Sequence, residues 1–345
     1  MIYLNKADKT LTERKDFLWG VNIHSSYYST AYKFSNLEEL LYRAKDMGSD
    51  LIRLNGNSPI DELDASVKLC NAYGMKVMVV QYIRGFTVID KNTDLQSVED
   101  DFYNVAMRYN GKNGNGKIDF IQIHNEMDLA LMNVNPKGGS DGDKIENWDE
   151  QQLNNVVEQV KAAIKGVKKS DTDAKTVINF CWLHYGMLDY FYNNGVDWDI
   201  TGHDWYGDQM NAYETHFNST AYGIGELLYK KFRKKIIVCE SNYFNFDISS
   251  RDAWDDTKEE TFDILIRGME DSYRQEYVIG FTFYELVDEL QFESSEWQQG
   301  DEKWNREAHF GLLFADRDGN LGEPKPIYNR IKKVIGGNHV KKLSL

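Results

Sequence analysis

The sequence predicts a single α/β domain folded as a (β/α)8 barrel, and three observations carry the prediction. Short apolar runs that break off into polar residues alternate eight times with stretches of helical periodicity. No Pro- or Ser-rich linker separates two halves of the 345-residue chain. The glycine signatures of nucleotide-binding doubly wound sheets, GxGxxG and the P-loop, are missing, as is any repeat of fixed period. Hydrophobic residues make up 41% of the chain, enough for one large core.

After a polar lead-in over 1–16, WGVNIHSS (19–26) reads as strand one. Leu37, Leu40, Leu41, Ala44 and Met47 recur at helical spacing; Asn36 and Glu39 are placed as an N-cap and its reciprocal partner, and Gly48 ends the helix. SDLIRLNGN (49–57) is strand two, and Ser58-Pro59 opens a helix that runs to Tyr73. MKVMVVQY (75–82) is strand three, Asp94 to Tyr109 a helix, and NGKNGNGK (110–117) a polar loop with no carboxylate to hold calcium. IQIHNEMD (121–128) carries strand four into a long loop, 127–148. Leu153, Val156, Val157, Val160, Ala163, Ile164 and Val167 mark one face of the helix that follows. TVINFCWLH (176–184) is strand five, a short helix spans Met187–Tyr192, and strand six lies within VDWDITGHDWYG (196–207). A helix over 221–233 precedes strand seven, IIVCE (236–240). Thr257 and Glu260 form a capping-box pattern for a helix carrying Phe262, Leu265, Ile266, Met269 and Tyr273. YVIGFTFYE (277–285) is strand eight, a second long loop covers 285–313, and a last helix follows Pro324.

A net charge of −15 argues against nucleic acid or an anionic membrane as partner, since both call for clustered Lys and Arg. No apolar run reaches membrane-spanning length. No signal peptide is visible, which leaves a secreted or periplasmic origin with the signal removed open. Aromatic residues reach 13%, with 8 Trp and 21 Tyr, a surplus that suits stacking on flat apolar ligand faces as well as core packing. Cys70, Cys181 and Cys239 lack CxxC or Cys/His metal spacing and read as buried free thiols. No metal or cofactor is expected, and the oligomeric state cannot be read from the pattern.

Residues at the carboxyl ends of barrel strands line the face where chemistry is done. Here they are His24, Arg53, Asn55, Gln81, Asn125, Glu126, Trp182, His184, His203, Tyr206, Glu240 and Tyr284. They include neither a mixed cysteine–histidine cluster nor a dense aspartate group. Glu126 and Glu240 end strands four and seven and can meet across the cleft. Such a pair can protonate a leaving oxygen while attacking or activating water, with a separation of about 5–5.5 Å favouring a covalent route and about 6.5–9.5 Å an inverting one. On pattern alone, two such glutamates are as readily structural or solvent-exposed. His24 and His184 read equally as wall or catalytic residues, Trp182 and Trp205 as core or ligand platform, and Arg53 could pair with any carboxylate.

Strand four ending in Asn125-Glu126, strand seven ending in Glu240, Arg53 at the end of strand two and an aromatic-rich strand six together resemble clan A of the glycoside hydrolases. These are retaining TIM-barrel enzymes that include many cellulases, mannanases, galactanases and β-glycosidases. The resemblance spans roughly residues 17–335. It implies hydrolysis of β-glycosidic bonds in an oligo- or polysaccharide, more in keeping with endo action, with Glu126 as acid/base and Glu240 as nucleophile. By the same resemblance Asn125 would bind a sugar 2-hydroxyl, Arg53 would keep Glu240 ionised, and Tyr206 would bond the nucleophile beside His203. Two departures stand out: Met127-Asp128 follows Asn-Glu where many members have Pro, and FTFYE (281–285) leaves Phe283 or Tyr284 in place of a tryptophan sugar platform.

The 285–313 loop reads either as a solvated acidic excursion or as a wall on which Phe292, Trp297 and Trp304 stack sugar rings. A carbohydrate-binding barrel that has lost turnover is the alternative function, because fold does not fix activity. A lyase or aldolase would want a Schiff-base lysine or a metal cluster at a strand end, and neither is found there.

Overall fold

The computed structural model describes residues 9–26, 28–83, 92–134, 141–206, 223–242, 259–291, 306–338 and 340–343. Eight parallel strands close in sequence order into one barrel: β1 (Leu18–Ile23), β2 (Leu51–Asn55), β3 (Lys76–Gln81), β4 (Phe120–Ile123), β5 (Lys175–Ile178), β6 (Ile200–Asp204), β7 (Lys235–Ser241) and β8 (Val278–Phe283). Around them run α1 (Leu37–Met47), α2 (Ile60–Ala72), α3 (Leu95–Arg108), α4 (Met127–Val134), α5 (Glu150–Lys169), α6 (Tyr185–Asn193), α7 (Gly225–Phe232), α8 (Glu259–Arg274) and α9 (Pro326–Ile335). A two-stranded antiparallel ribbon, β9 (Leu313–Ala315) and β10 (Leu321–Pro324), precedes α9. Among the described residues no helix is long and apolar enough to cross a membrane.

The twofold alternation of strand side chains divides the apolar residues into two cores. Leu51, Met78, Phe120, Val177, Ile200, Ile237 and Cys239 fill the barrel interior. Ile52, Leu54, Val77, Val79, Ile121 and Ile123 face the helices and join the larger core. Every apolar residue expected on the inner face of α5 is buried there. The helix begins at Asp149, whose side chain accepts from the Gln152 amide, so an orphan donor of the first turn is satisfied. Gly48 closes α1 at φ 111°, a left-handed conformation that a Cβ would penalise.

Local details differ from the sequence reading. Asn36 does not cap α1: its amide donates to the carbonyls of Ala31 and Gly319, while Glu39 pairs with Arg43 and Lys342. A 3-10 turn, Phe34–Asn36, already leads into the helix, so Asn36 is freed to tie the β9–β10 ribbon to the barrel rim. The Thr257 cap lies outside the described residues.

The 127–148 stretch is not loop throughout. It opens with α4 and includes a 3-10 turn, Ile145–Asn147. Met, Leu and Ala favour a helix, and the turn at Glu126 allows the Leu129 amide to reach its carbonyl at 3.0 Å. Strand five is shorter than TVINFCWLH. Trp182 stands at φ 53°, which no extended strand accommodates, and Asn179 turns its side chain into the polar centre. The ends of the 285–313 segment that can be described are packed rather than solvated, with Leu286, Val287, Ala308, Phe310 and Leu312 buried.

Candidate active site

Polar residues replace apolar ones on the inward positions as each strand approaches its carboxyl end. Asn22, Arg53, Gln122, Asn179 and Asp204 each stand two positions beyond an inward residue of their strand, namely Gly20, Leu51, Phe120, Val177 and Gly202. Gly202 has no room for a side chain: a Cβ there would stand 2.7 Å from Asn179 Cβ and 2.9 Å from Cys239 Sγ. β7 departs from strict alternation. Its register with β6 slips between His203 and Asp204, so that Val238 and then Glu240 oppose successive β6 residues. This irregularity turns Glu240 into the cleft next to inward-facing Cys239, as bulges beside active sites often do.

Arg53 is the hub. Its buried guanidinium donates to Glu240 Oε1 at 2.7 Å, Gln122 Oε1 at 2.8 Å, Asn22 Oδ1 at 2.5 Å and Asn125 Oδ1 at 2.5 Å. Tyr206 donates its hydroxyl to the other Glu240 oxygen, Oε2, at 2.8 Å. Both oxygens of Glu240 are thus oriented, one by a cation and one by a phenol. Burial disfavours charge on Arg53, but Glu240 and Asp204 outweigh it and hold the guanidinium firmly protonated.

Asn125 Oδ1 accepts from Arg53, from Gln122 Nε2 at 3.1 Å and from Asn179 Nδ2 at 2.9 Å. With three donors on its carbonyl, the amide orientation is fixed and its NH2 is the group left for a ligand. Glu126 follows at φ 44°, with its amide held by Asn179 Oδ1 at 3.1 Å, and His124 precedes at φ 61°. Two left-handed residues around Asn125 are the kind of backbone strain that collects at functional sites.

Glu126, Asp204 and Glu240 each place an oxygen within 4.8 Å of the others. Burial, then the charges of Glu240 and Asp128, push the Glu126 carboxyl well above its ordinary range, with Arg53 pulling the other way. Burial, then Glu240 and Glu126, do the same to Asp204, whose Oδ2 accepts from Asn179 at 2.6 Å. One guanidinium among three carboxyls therefore leaves Glu126 disposed to keep its proton, the requirement for an acid.

Among the described residues the cleft is walled by Asn22, His24, Tyr28, Arg53, Asn55, Tyr82, Asn125, Glu240 and Tyr284. Of the residues expected from sequence, Arg53, Asn125, Glu126, Tyr206 and Glu240 converge, while His24 and Tyr284 form a wall. Phe283 does not share that role, since it stacks on Trp19 on the helix side. His203 is a correction. With Ile200 and Gly202 facing inward it points outward, bonds the Trp182 carbonyl at 3.0 Å and stacks on Phe180. Trp205 is core. Trp182 is half-buried and packs against the outer core. Trp297, Trp304 and Phe292 lie outside the described residues.

The sequence reading found no mixed cysteine–histidine cluster, yet the fold assembles one. Asp128 Oδ2 receives His184 Nδ1 at 2.6 Å and both the amide and the thiol of Cys181 at 3.2 Å. These bonds anchor the start of α4, and hence Glu126, to the loop after β5. No local pattern marks Asp128, because its partners lie more than fifty positions away.

The sequence matches the family model for glycosyl hydrolase family 53 over residues 53–293. No curated protein matches it. In fold it is similar to a β-glucuronidase from Bacteroides uniformis, with TM-score 0.64 and 15% identity over 92% of this chain and 34% of that one. It is also similar to a family 1 β-glucosidase from Thermotoga maritima, with TM-score 0.62 and 11% identity over 96% of this chain and 100% of that one. The AHE enzyme from Alicyclobacillus herbarius gives TM-score 0.63 and 10% identity over 97% and 100%. The chain spans about a third of the glucuronidase's length. At these identities the likeness is one of fold.

Proposed function

The chain belongs to glycosyl hydrolase family 53, and from it we propose a single catalytic domain over 1–345 that cleaves β-glycosidic bonds within an oligo- or polysaccharide with retention of configuration. The observation that carries the reading is the carboxyl constellation: an oxygen of Glu126 and one of Glu240 approach within 4.8 Å, so that both carboxyls can act on one glycosidic bond, as the short separation of a covalent route requires. Glu240, oriented by Arg53 and Tyr206, attacks the anomeric carbon while Glu126 gives its proton to the departing oxygen. Water then opens the glycosyl-enzyme with Glu126 as base. The fixed Asn125 amide donates to the sugar 2-hydroxyl, and Tyr284 and His24 flank the ring. No cofactor enters this scheme.

The experiment is reducing-end release from β-glucan, mannan, xylan and galactan and from aryl β-glycosides, comparing the wild type with Glu126→Gln and Glu240→Gln. Hydrolysis that collapses in both variants supports the pair and names the substrate class. Sugar binding without turnover in the wild type would favour a carbohydrate-binding barrel instead.

A further inference from the structure

His24, Glu285 and Glu289 meet where β1 and β8 leave the barrel, behind the wall that His24 and Tyr284 present to the cleft. Both glutamates are completely buried. His24 Nε2 lies 3.8 Å from Glu285 Oε2, and His24 Nδ1 lies 3.6 Å from Glu289 Oε1. One donor atom from each of the three falls within 4.8 Å of the other two. Glu285 Oε2 accepts from Tyr32 at 2.7 Å. Glu285 Oε1, both oxygens of Glu289 and His24 Nδ1 have no partner at hydrogen-bond geometry, although the Ser29 hydroxyl and the Glu285 carboxyl stand close enough to Glu289 to act on its carboxyl. The buried ammonium of Lys325 binds Asp288 at 2.7 Å and the His309 carbonyl at 3.0 Å rather than either glutamate.

Two buried carboxyls facing one imidazole, with four acceptor-capable atoms unbonded, is an arrangement that buried polar groups normally avoid. We infer that His24, Glu285 and Glu289 form a binding site for one divalent cation of the kind that accepts imidazole and carboxylate together, Mn2+ or Zn2+. The mixed nitrogen and oxygen donors favour these over Ca2+ and Mg2+, which prefer oxygen alone. Zn–N and Zn–O bonds of about 2.0–2.2 Å imply donor separations of roughly 3.3–3.5 Å in a tetrahedron; with Nδ1 as the one ligating nitrogen the 3.6 Å pair with Glu289 closes by a few tenths of an ångström, while Glu285, which faces Nε2, has further to swing. Three protein ligands leave a further position for water. The bound ion offsets both buried charges and fixes the His24 wall of the cleft. This site does not depend on what the cleft hydrolyses.

The test uses the full chain, stripped with a chelator and then equilibrated with Mn2+ or Zn2+, with bound metal read by mass spectrometry and by Mn2+ magnetic resonance. The wild type should retain roughly one equivalent at this site. Glu289→Gln and, separately, Glu285→Gln should bind roughly tenfold or more weakly. Metal should raise the wild-type melting temperature and leave that of either variant unchanged. Two outcomes overturn the site. One is a wild type that retains neither metal, which leaves the carboxyls sharing protons instead. The other is retention of the full equivalent by both variants, which places the ion elsewhere.

Discussion

Replacing Arg53 by Met removes the cation that the three-carboxyl centre is built around and leaves Glu240 buried without its partner. The two side chains are 5% and 7% exposed, so solvent screening is weak. Breaking a buried pair by deleting one member costs about 3–5 kcal/mol. An unfolding entropy of about 2.1 cal/mol/K per residue over 345 residues converts this to a fall in melting temperature of ~4–7 °C. Thermal and urea unfolding at neutral pH measure it. The double variant Arg53→Met/Glu240→Gln should recover part of the loss, because the stranded charge is gone. A loss below about 1 kcal/mol, or a double variant no more stable than Arg53→Met, would refute the hub role.

Tyr206→Phe removes one hydrogen bond to a charged oxygen, worth about 1.5–3 kcal/mol. The expected result is a fall of roughly 10- to 100-fold in kcat/KM with a drop of only ~2–4 °C in the melting temperature. Asp128→Asn deletes a charge that pushes the Glu126 carboxyl upward. The alkaline limb of the pH profile of kcat/KM should therefore move to lower pH, while a limb that stays in place would remove Asp128 from the tuning of the acid. In metal-free protein Glu289 is pushed by burial to about 8, and Glu285 is also raised. A carboxyl raised on folding contributes stability that is full below its unfolded value and is lost as pH rises through the folded one. Denaturant unfolding in chelator should show stability falling from about pH 4.5 toward pH 8, with a shallower fall in Glu289→Gln.

The barrel was legible because each strand and helix carries its own period, and the eightfold alternation leaves few other folds. Arg53, Asn125, Glu126 and Glu240 were legible because they end strands. Asn22, Gln122, Asn179 and Asp204 were not singled out, although the sequence held their signal. Each is a polar residue in phase with the inward positions of a buried strand. The same counting would have sent His203 outward. Glu240 obeys no such rule, since its aim depends on the register slip with β6. The Asp128–Cys181–His184 triad and the His24–Glu285–Glu289 cluster join the loops after neighbouring barrel strands, β4 with β5 and β8 with β1, whose residues lie far apart in sequence, and no local pattern announces which loop ends will touch. Asn36 shows the opposite error: a good capping residue was claimed by a tertiary contact.

The central claim, that Glu240 attacks the anomeric carbon while Glu126 serves as acid and base, is tested most directly by trapping the glycosyl-enzyme. The enzyme is incubated with a 2-deoxy-2-fluoro β-glycoside of the sugar identified by the substrate panel, then digested and analysed by mass spectrometry. The account predicts one glycosyl adduct on the peptide bearing Glu240, and none in Glu240→Gln. An adduct on Glu126, or turnover of the parent substrate whose first-formed sugar is inverted and leaves no adduct, would contradict it.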